Sequence, residues 1–207
     1  MRLLIATTNR DKLREIQSVL IGVPIELLTL ADLPAAGEPD ETGVTFAENA
    51  RLKAMHYADA AAGVMRDPEL LTVAEDSGLV IDALDGEPGV RSARFLRPDA
   101  SYRERFDEIY RRLSSHPAAP STARFICALA AVRGGGVVFE TTGVIEGEIS
   151  PSPKGTRGFG YDPIFLYPPS GQTLAEVNDA DKLRVAHRGH AFRSLRSWLE
   201  SSFVSGI

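Results

Sequence analysis

Two consecutive carboxylates, Glu75 and Asp76, close the apolar run "LLTVA" and are followed at once by Ser77 and Gly78. Carboxylates at a strand end suit a hard divalent cation such as Mg2+, which accepts one or two of them and completes its shell with water and substrate phosphate. Glu41, in an acidic loop upstream, is a second candidate ligand. Acidic residues in turns are ordinarily just solvated, but Asp76 lies between two apolar segments, where an unpaired carboxylate is costly. Near the N-terminus, Thr7, Thr8 and Asn9 lead into a charged segment that carries Lys12. A helix start offers unpaired N–H groups and a positive dipole end, and a lysine in its first turn adds a full charge, a combination that suits phosphate. Taken alone, this segment is better read as an Asn9 N-cap beside a solvated lysine, and the glycine-rich Walker pattern is absent.

Asn49 and Lys53 stand one helical turn apart and share a face, although a lone helical lysine is ordinarily a surface residue. "GFGYD" at 158–162 sets Phe159 and Tyr161, two rings able to stack or pack around a base, beside Gly158 and Gly160, which let a backbone approach closely. "DKLRVAHRG" at 181–189 brings Lys182, His187 and Arg188 near one another as donors. Each cluster is weak by itself. Together they combine phosphate donors, a metal carboxylate and an aromatic, glycine-spaced base site, which points to a nucleotide.

The elements that must position these residues can be traced along the chain. Leu3–Ala6 reads as a buried strand, and from Asp11 onward Leu13, Ile16 and Leu20 recur at helical spacing. A second strand, Ile25–Leu30, precedes "ADLPAAGEPDETG", a loop rich in Pro, Gly and acidic residues. Thr45 and Glu48 form a capping box for a helix over 46–62, whose apolar face is Phe46, Ala50, Ala54, Tyr57, Ala58 and Ala61. "LLTVAEDSGLVIDAL" reads as two strand segments around an acidic turn, and "DGEPG" as another turn. Ser101 and Glu104 cap a helix that carries Phe106, Ile109, Tyr110 and Leu113. "ARFICALAAV" and "GVVFETTGVIEGEI" pair as a hairpin, "DPIFLYP" adds a strand, and Ala191, Leu195, Trp198 and Leu199 mark a closing helix. Strict βαβ alternation is missing, so the expectation is an α/β fold with a mixed sheet.

Composition limits the function. The 207 residues suit one compact domain spanning 1–207, with no repeat or obvious linker. A formal charge of −5 argues against broad nucleic-acid binding. No apolar run is long enough for a membrane span or a signal peptide, which leads to the expectation of a cytoplasmic protein. Cys127 stands alone among apolar neighbours and reads as a buried core thiol.

"ATTN…K", "TFAENARLKA", "AEDSGLVIDALDGEPGVRSARF", "GFGYDPIF" and "AHRG" follow the order and spacing of the inosine triphosphate pyrophosphatase family, and this resemblance runs from Leu4 to about Leu199. It implies a long mixed sheet with flanking helices forming two lobes around a central cleft, a homodimer, and Mg2+-dependent conversion of ITP, dITP or XTP to the monophosphate and pyrophosphate. By motif it assigns Thr7, Thr8, Asn9, Arg10, Asp11, Lys12 and Lys53 to the triphosphate, and Ser77 to a substrate contact. Asp76 becomes the metal-bound proton acceptor, with Glu41 as a second metal residue. Phe159, Gly160, Tyr161, Asp162, Lys182, His187 and Arg188 are implied on the base side. Two positions depart from the family habit, Thr8 for Gly or Ser and Ala186 for Ser. Two alternatives stand beside this one. A Maf-like nucleotide pyrophosphatase is opposed by "GFGYD" and "HRG", and a nucleotide-binding protein without turnover is opposed by the presence of both Glu41 and Asp76.

Overall fold

The computed structural model describes residues 1–33, 36–115 and 121–204. Its seven strands form a single mixed sheet in the order β2-β1-β3-β4-β5-β6-β7. Strand β1 (Arg2–Ile5) pairs in parallel with both β2 (Glu26–Thr29) and β3 (Leu71–Ile81). At the other edge, β6 (Phe165–Tyr167) pairs antiparallel with β5 (Gly136–Ile149) and with β7 (Gln172–Thr173). Strand β4 (Thr122–Arg133) turns into β5 through Gly134 and Gly135, both at positive φ (58° and 75°), which is the backbone a two-residue hairpin turn demands.

The helices are α1 (Arg10–Leu20), α2 (Phe46–Met65), α3 (Tyr102–Leu113), α4 (Asp179–Val185) and α5 (His187–Val204). Both capping boxes form as expected: Thr45 and Glu48 close the start of α2, and Ser101 and Glu104 that of α3. Among the described residues no helix is long and apolar enough to cross a membrane.

One expectation fails instructively. Residues 70–84 are not two strands around an acidic turn: β3 runs unbroken through Glu75 and Asp76, and only Asp82–Leu84 leave it, as a 3-10 turn. The reason is that both carboxylates are buried and paired inside the protein, so neither needs a solvated turn. Residues Asp162–Ile164 likewise form a 3-10 turn before the short β6, which shortens the strand expected from "DPIFLYP". Pro34 and Ala35 of the expected acidic loop lie outside the described residues.

The chain divides into two compact units. The first comprises residues 1–76, 127–143 and 188–207, the second residues 77–126 and 144–187. In the first, Leu4, Leu28, Ala50, Ala54, Tyr57, Ala74, Ala128 and Val132 form a core in which small residues on α2 let the helix lie close to the sheet. Arg196 of α5 donates to the carbonyls of Val19 and Ile21, both at 3.0 Å, and so ties that helix to the end of α1. Trp198 stacks on Phe139 with ring centroids 5.1 Å apart. In the second unit, Leu79, Ile81, Phe95, Phe106, Ile109, Phe125, Ile145, Tyr161 and Phe165 make an aromatic-rich core.

Candidate active site

Strand alternation explains the chemistry of the first unit. Consecutive residues of a strand point to opposite faces, so Glu75 and Asp76 meet different partners. Glu75, on one face, receives Lys12 Nζ at 2.7 Å, Arg188 Nη2 at 3.2 Å and the Cys127 thiol at 2.7 Å. Arg188 also reaches Glu15 at 2.6 Å. Burial alone would raise the Glu75 carboxyl, but Arg188 and Lys12 outweigh it and hold it well below the usual carboxylate range. Burial beside that carboxylate pushes the Cys127 thiol well up, so Cys127 is an inert core thiol that donates a hydrogen bond.

Asp76, on the other face, meets α2. Its Oδ1 lies 2.9 Å from Lys53 Nζ, and its Oδ2 accepts from Asn49 Nδ2 at 3.2 Å. Lys53 is shared with Glu41, whose Oε1 is also 2.9 Å away. Burial raises the Asp76 carboxyl above the ordinary aspartate value, against the opposing pull of Lys53. For Lys53 burial works toward the neutral form, yet Asp76 and Glu41 together overcome it and keep the ammonium charged. The i, i+4 spacing of Asn49 and Lys53 delivers both side chains to the one carboxylate.

The start of α1 is built as its sequence suggests. Asn9 Oδ1 caps the helix, accepting from the N–H groups of Asp11 at 2.9 Å and Lys12 at 3.1 Å, and Thr7 Oγ1 accepts from Asn9 N at 3.2 Å. Thr8, Asn9 and Arg10 are exposed, and Asp11 pairs with Arg14. Lys12 is not the solvated lysine of the simple cap reading, since its ammonium sits against Glu75. The ion pairs thus form two sets, Lys12 and Arg188 with Glu15 and Glu75 on one face of β3, and Lys53 with Glu41 and Asp76 on the other. Glu41 and Asp76, two carboxylates joined through one lysine, fit a hard dication that needs few protein oxygens. Among the described residues no group of three His, Cys, Asp or Glu side chains is placed to hold a metal ion.

The second unit holds the base-side candidates. Gly158 and Gly160 both take positive φ (68° and 67°). A Cβ at Gly158 would lie 2.1 Å from Asp162 Oδ2, so only glycine lets this turn close on the carboxylate. Asp162 accepts from Phe159 N at 2.8 Å and from Lys182 Nζ at 2.6 Å, and the same ammonium stands 4.5 Å from the Phe159 ring centroid. Phe159 is half-buried. Tyr161 is buried in the core, edge-on to Tyr102 at 5.3 Å, and donates its hydroxyl to Ser92 O at 2.8 Å. His187 stacks on Phe125, ring centroids 4.8 Å apart. Ser77 follows Asp76 along β3 and is half-buried.

The structure thus gathers Lys12, Glu41, Lys53 and Asp76 with Arg188 in one unit, and Phe159, Asp162, Lys182 and His187 in the other. Arg188, implied on the base side together with His187, is buried in the first unit, where it pairs with Glu15 and Glu75. Sequence reasoning passed over Glu15 and Gly43. Glu15 carries a signal, its i, i+3 position after Lys12, which puts the two on one helix face; Gly43 carries none beyond lying in a loop.

Comparison with known proteins finds relatives over most of the chain. The model of the Ham1 family matches residues 3–198. A dITP/XTP pyrophosphatase of Geobacter sulfurreducens is 44% identical over 198 residues, covering 96% of each chain, and one of an Exiguobacterium species is 43% identical over 197 residues, covering 95% and 96%. A HAM1 protein from Coxiella burnetii superposes with a TM-score of 0.86 at 34% identity, covering 97% of this chain and 99% of that one. The Staphylococcus aureus Ham1 protein gives 0.84 at 29%, covering 98% and 100%.

Proposed function

The chain belongs to the Ham1 family, and from that premise we propose that it hydrolyses the triphosphates of deaminated purines, ITP, dITP and XTP, to the nucleoside monophosphate and pyrophosphate. The observation that carries this reading is the division of labour on β3. Glu75 is neutralised by Lys12 and Arg188, while Asp76, on the opposite face, is held by an amide and a shared lysine. That is the arrangement of one carboxylate that fixes cations and one that can take part in chemistry. The match over residues 3–198 leaves no support for the Maf-like alternative.

In this account Lys12 and Lys53, with the N-terminal turn of α1, receive the triphosphate, and Glu41 and Asp76 would hold Mg2+. When bound, that ion supplies charge neutralisation at the phosphate oxygens. Asp76 accepts the proton of the water that attacks the α-phosphorus, with Lys53 and Asn49 fixing the carboxylate's orientation. Lys12 and Lys53 are the fixed cations that stabilise the departing pyrophosphate. Arg188 is assigned to holding Glu75 in place.

Base selection is assigned to Phe159, Lys182 and His187. A donor directed at O6 accepts a 6-oxo purine and is left unpaired opposite the amino group of adenine, which disfavours ATP. Lys182 is already fixed by Asp162 at 2.6 Å, so its direction is preset by the Gly158–Asp162 turn. On the family resemblance we also propose a cytoplasmic homodimer. The function is tested by measuring pyrophosphate release with Mg2+ from ITP, XTP, dITP, ATP, GTP, dUTP and dTTP. Turnover concentrated on the first three supports it, and equal turnover of ATP or preference for a pyrimidine refutes it.

A further inference from the structure

We propose that Asn49 is a positioning residue for Asp76, which ties that carboxylate and the loop carrying Glu41 into one frame; the inference rests on the role given to Asp76 above. Asn49 has no exposed surface. A buried carboxamide must find partners for a carbonyl oxygen and an NH2 group, and its two ends are not interchangeable. Here the neighbours settle which end is which. Gly43 N–H can only donate, and it lies 2.8 Å from Asn49 Oδ1. The NH2 end is therefore turned to Asp76 Oδ2, 3.2 Å away. With Lys53 on Oδ1 at 2.9 Å, both oxygens of Asp76 are fixed by residues one turn apart on α2, so the helix sets the plane of the carboxylate.

The other end of the amide fixes the loop. Glycine at 43 is a requirement of this contact: an added Cβ would fall 2.7 Å from Asn49 Oδ1 and 2.7 Å from Glu48 Cβ. Two residues earlier, Glu41 reaches Lys53 at 2.9 Å. One amide thus spans the loop that presents Glu41 and the strand that presents Asp76. A shift of it displaces both carboxylates together, which is why its effect belongs in turnover and not in affinity for the nucleotide.

The test is a double-mutant cycle on ITP hydrolysis with wild type, Asn49→Ala, Asp76→Asn and the double variant, reading kcat, KM and thermal midpoint for each. Misplacing a reacting group by a fraction of its contact distance lowers kcat ~10- to 100-fold, and KM is expected to stay within ~3-fold because the phosphate-binding cations remain. Because its NH2 end acts through Asp76, Asn49→Ala should cost far less once Asp76 is already Asn than it does in wild type, the remainder being its effect through the Glu41 loop. Losses that multiply across the cycle, or a folded Asn49→Ala protein with wild-type kcat, overturn the proposal. Gly43→Ala, which alters no side chain of the site, carries the same expectation should Asn49→Ala not fold, and wild-type kcat in that variant counts equally against it. Wild-type protein inactive on ITP, or Asp76→Asn with wild-type kcat, instead refutes the reading of the site and takes the Asn49 assignment with it.

Discussion

At the scale of single residues, the site separates two adjacent carboxylates by environment. Asp76→Asn should lower kcat by at least ~100-fold, the usual cost of removing a general base; steady-state kinetics with circular dichroism as a fold control checks it, and near-normal turnover contradicts the assignment. Glu75→Gln should act on stability. Removing one partner of a buried ion pair costs about 3–5 kcal/mol at neutral pH because Lys12 and Arg188 are left uncompensated. The wild-type contribution has a definite pH dependence. The folded carboxyl lies well below the ordinary value of 4.5, so as pH falls the unfolded chain takes up the proton first. The stabilisation is fully present above 4.5 and is lost as pH drops toward the lower folded value. Urea unfolding of both proteins from neutral to acid pH should therefore show their difference narrowing on acidification. The acidic pair was visible in the sequence, and so was the cost of burying Asp76. What could not be read was that Lys12 and Arg188, 176 positions apart in numbering, converge on Glu75.

At the scale of elements, periodicity and capping chemistry were legible because they are local. Thr45 and Glu48 announce α2 through a spacing that satisfies its first backbone N–H groups, and the helix starts there. Thr45→Ala should cost about 1 kcal/mol in unfolding free energy. Since α2 presents Asn49 and Lys53, a measurable rise in local amide exchange at its first turn should accompany that loss. Strand β3 was misjudged as two pieces because charged residues signal turns only when water is their partner. The Gly158–Asp162 turn was legible in its glycines, while the burial of Tyr161 was not, since a ring beside glycines packs inward or outward according to neighbours such as Tyr102 and Ser92. Lys182→Met keeps the bulk of the side chain and removes the donor. It should lower kcat/KM for ITP more than for ATP, flattening the preference, and an unchanged ITP:ATP ratio would place Lys182 in a purely structural pair with Asp162.

At the scale of the molecule, β3, β4 and β5 each contribute residues to both compact units, so neither unit can be cut away without severing strands. Unfolding in urea should accordingly show one transition, coincident by fluorescence and circular dichroism; two separated transitions would mean independent domains. The mixed sheet was foreseen from the irregular alternation of strand and helix signals, but its order was not, because pairing across the sheet depends on contacts that no local pattern encodes. The central claim is hydrolysis by attack at the α-phosphorus, and its most direct test is turnover of ITP with Mg2+ in 18O-labelled water. The account predicts one labelled oxygen in IMP and none in the pyrophosphate released beside it. Label in the pyrophosphate, or IDP and orthophosphate as products, would contradict it.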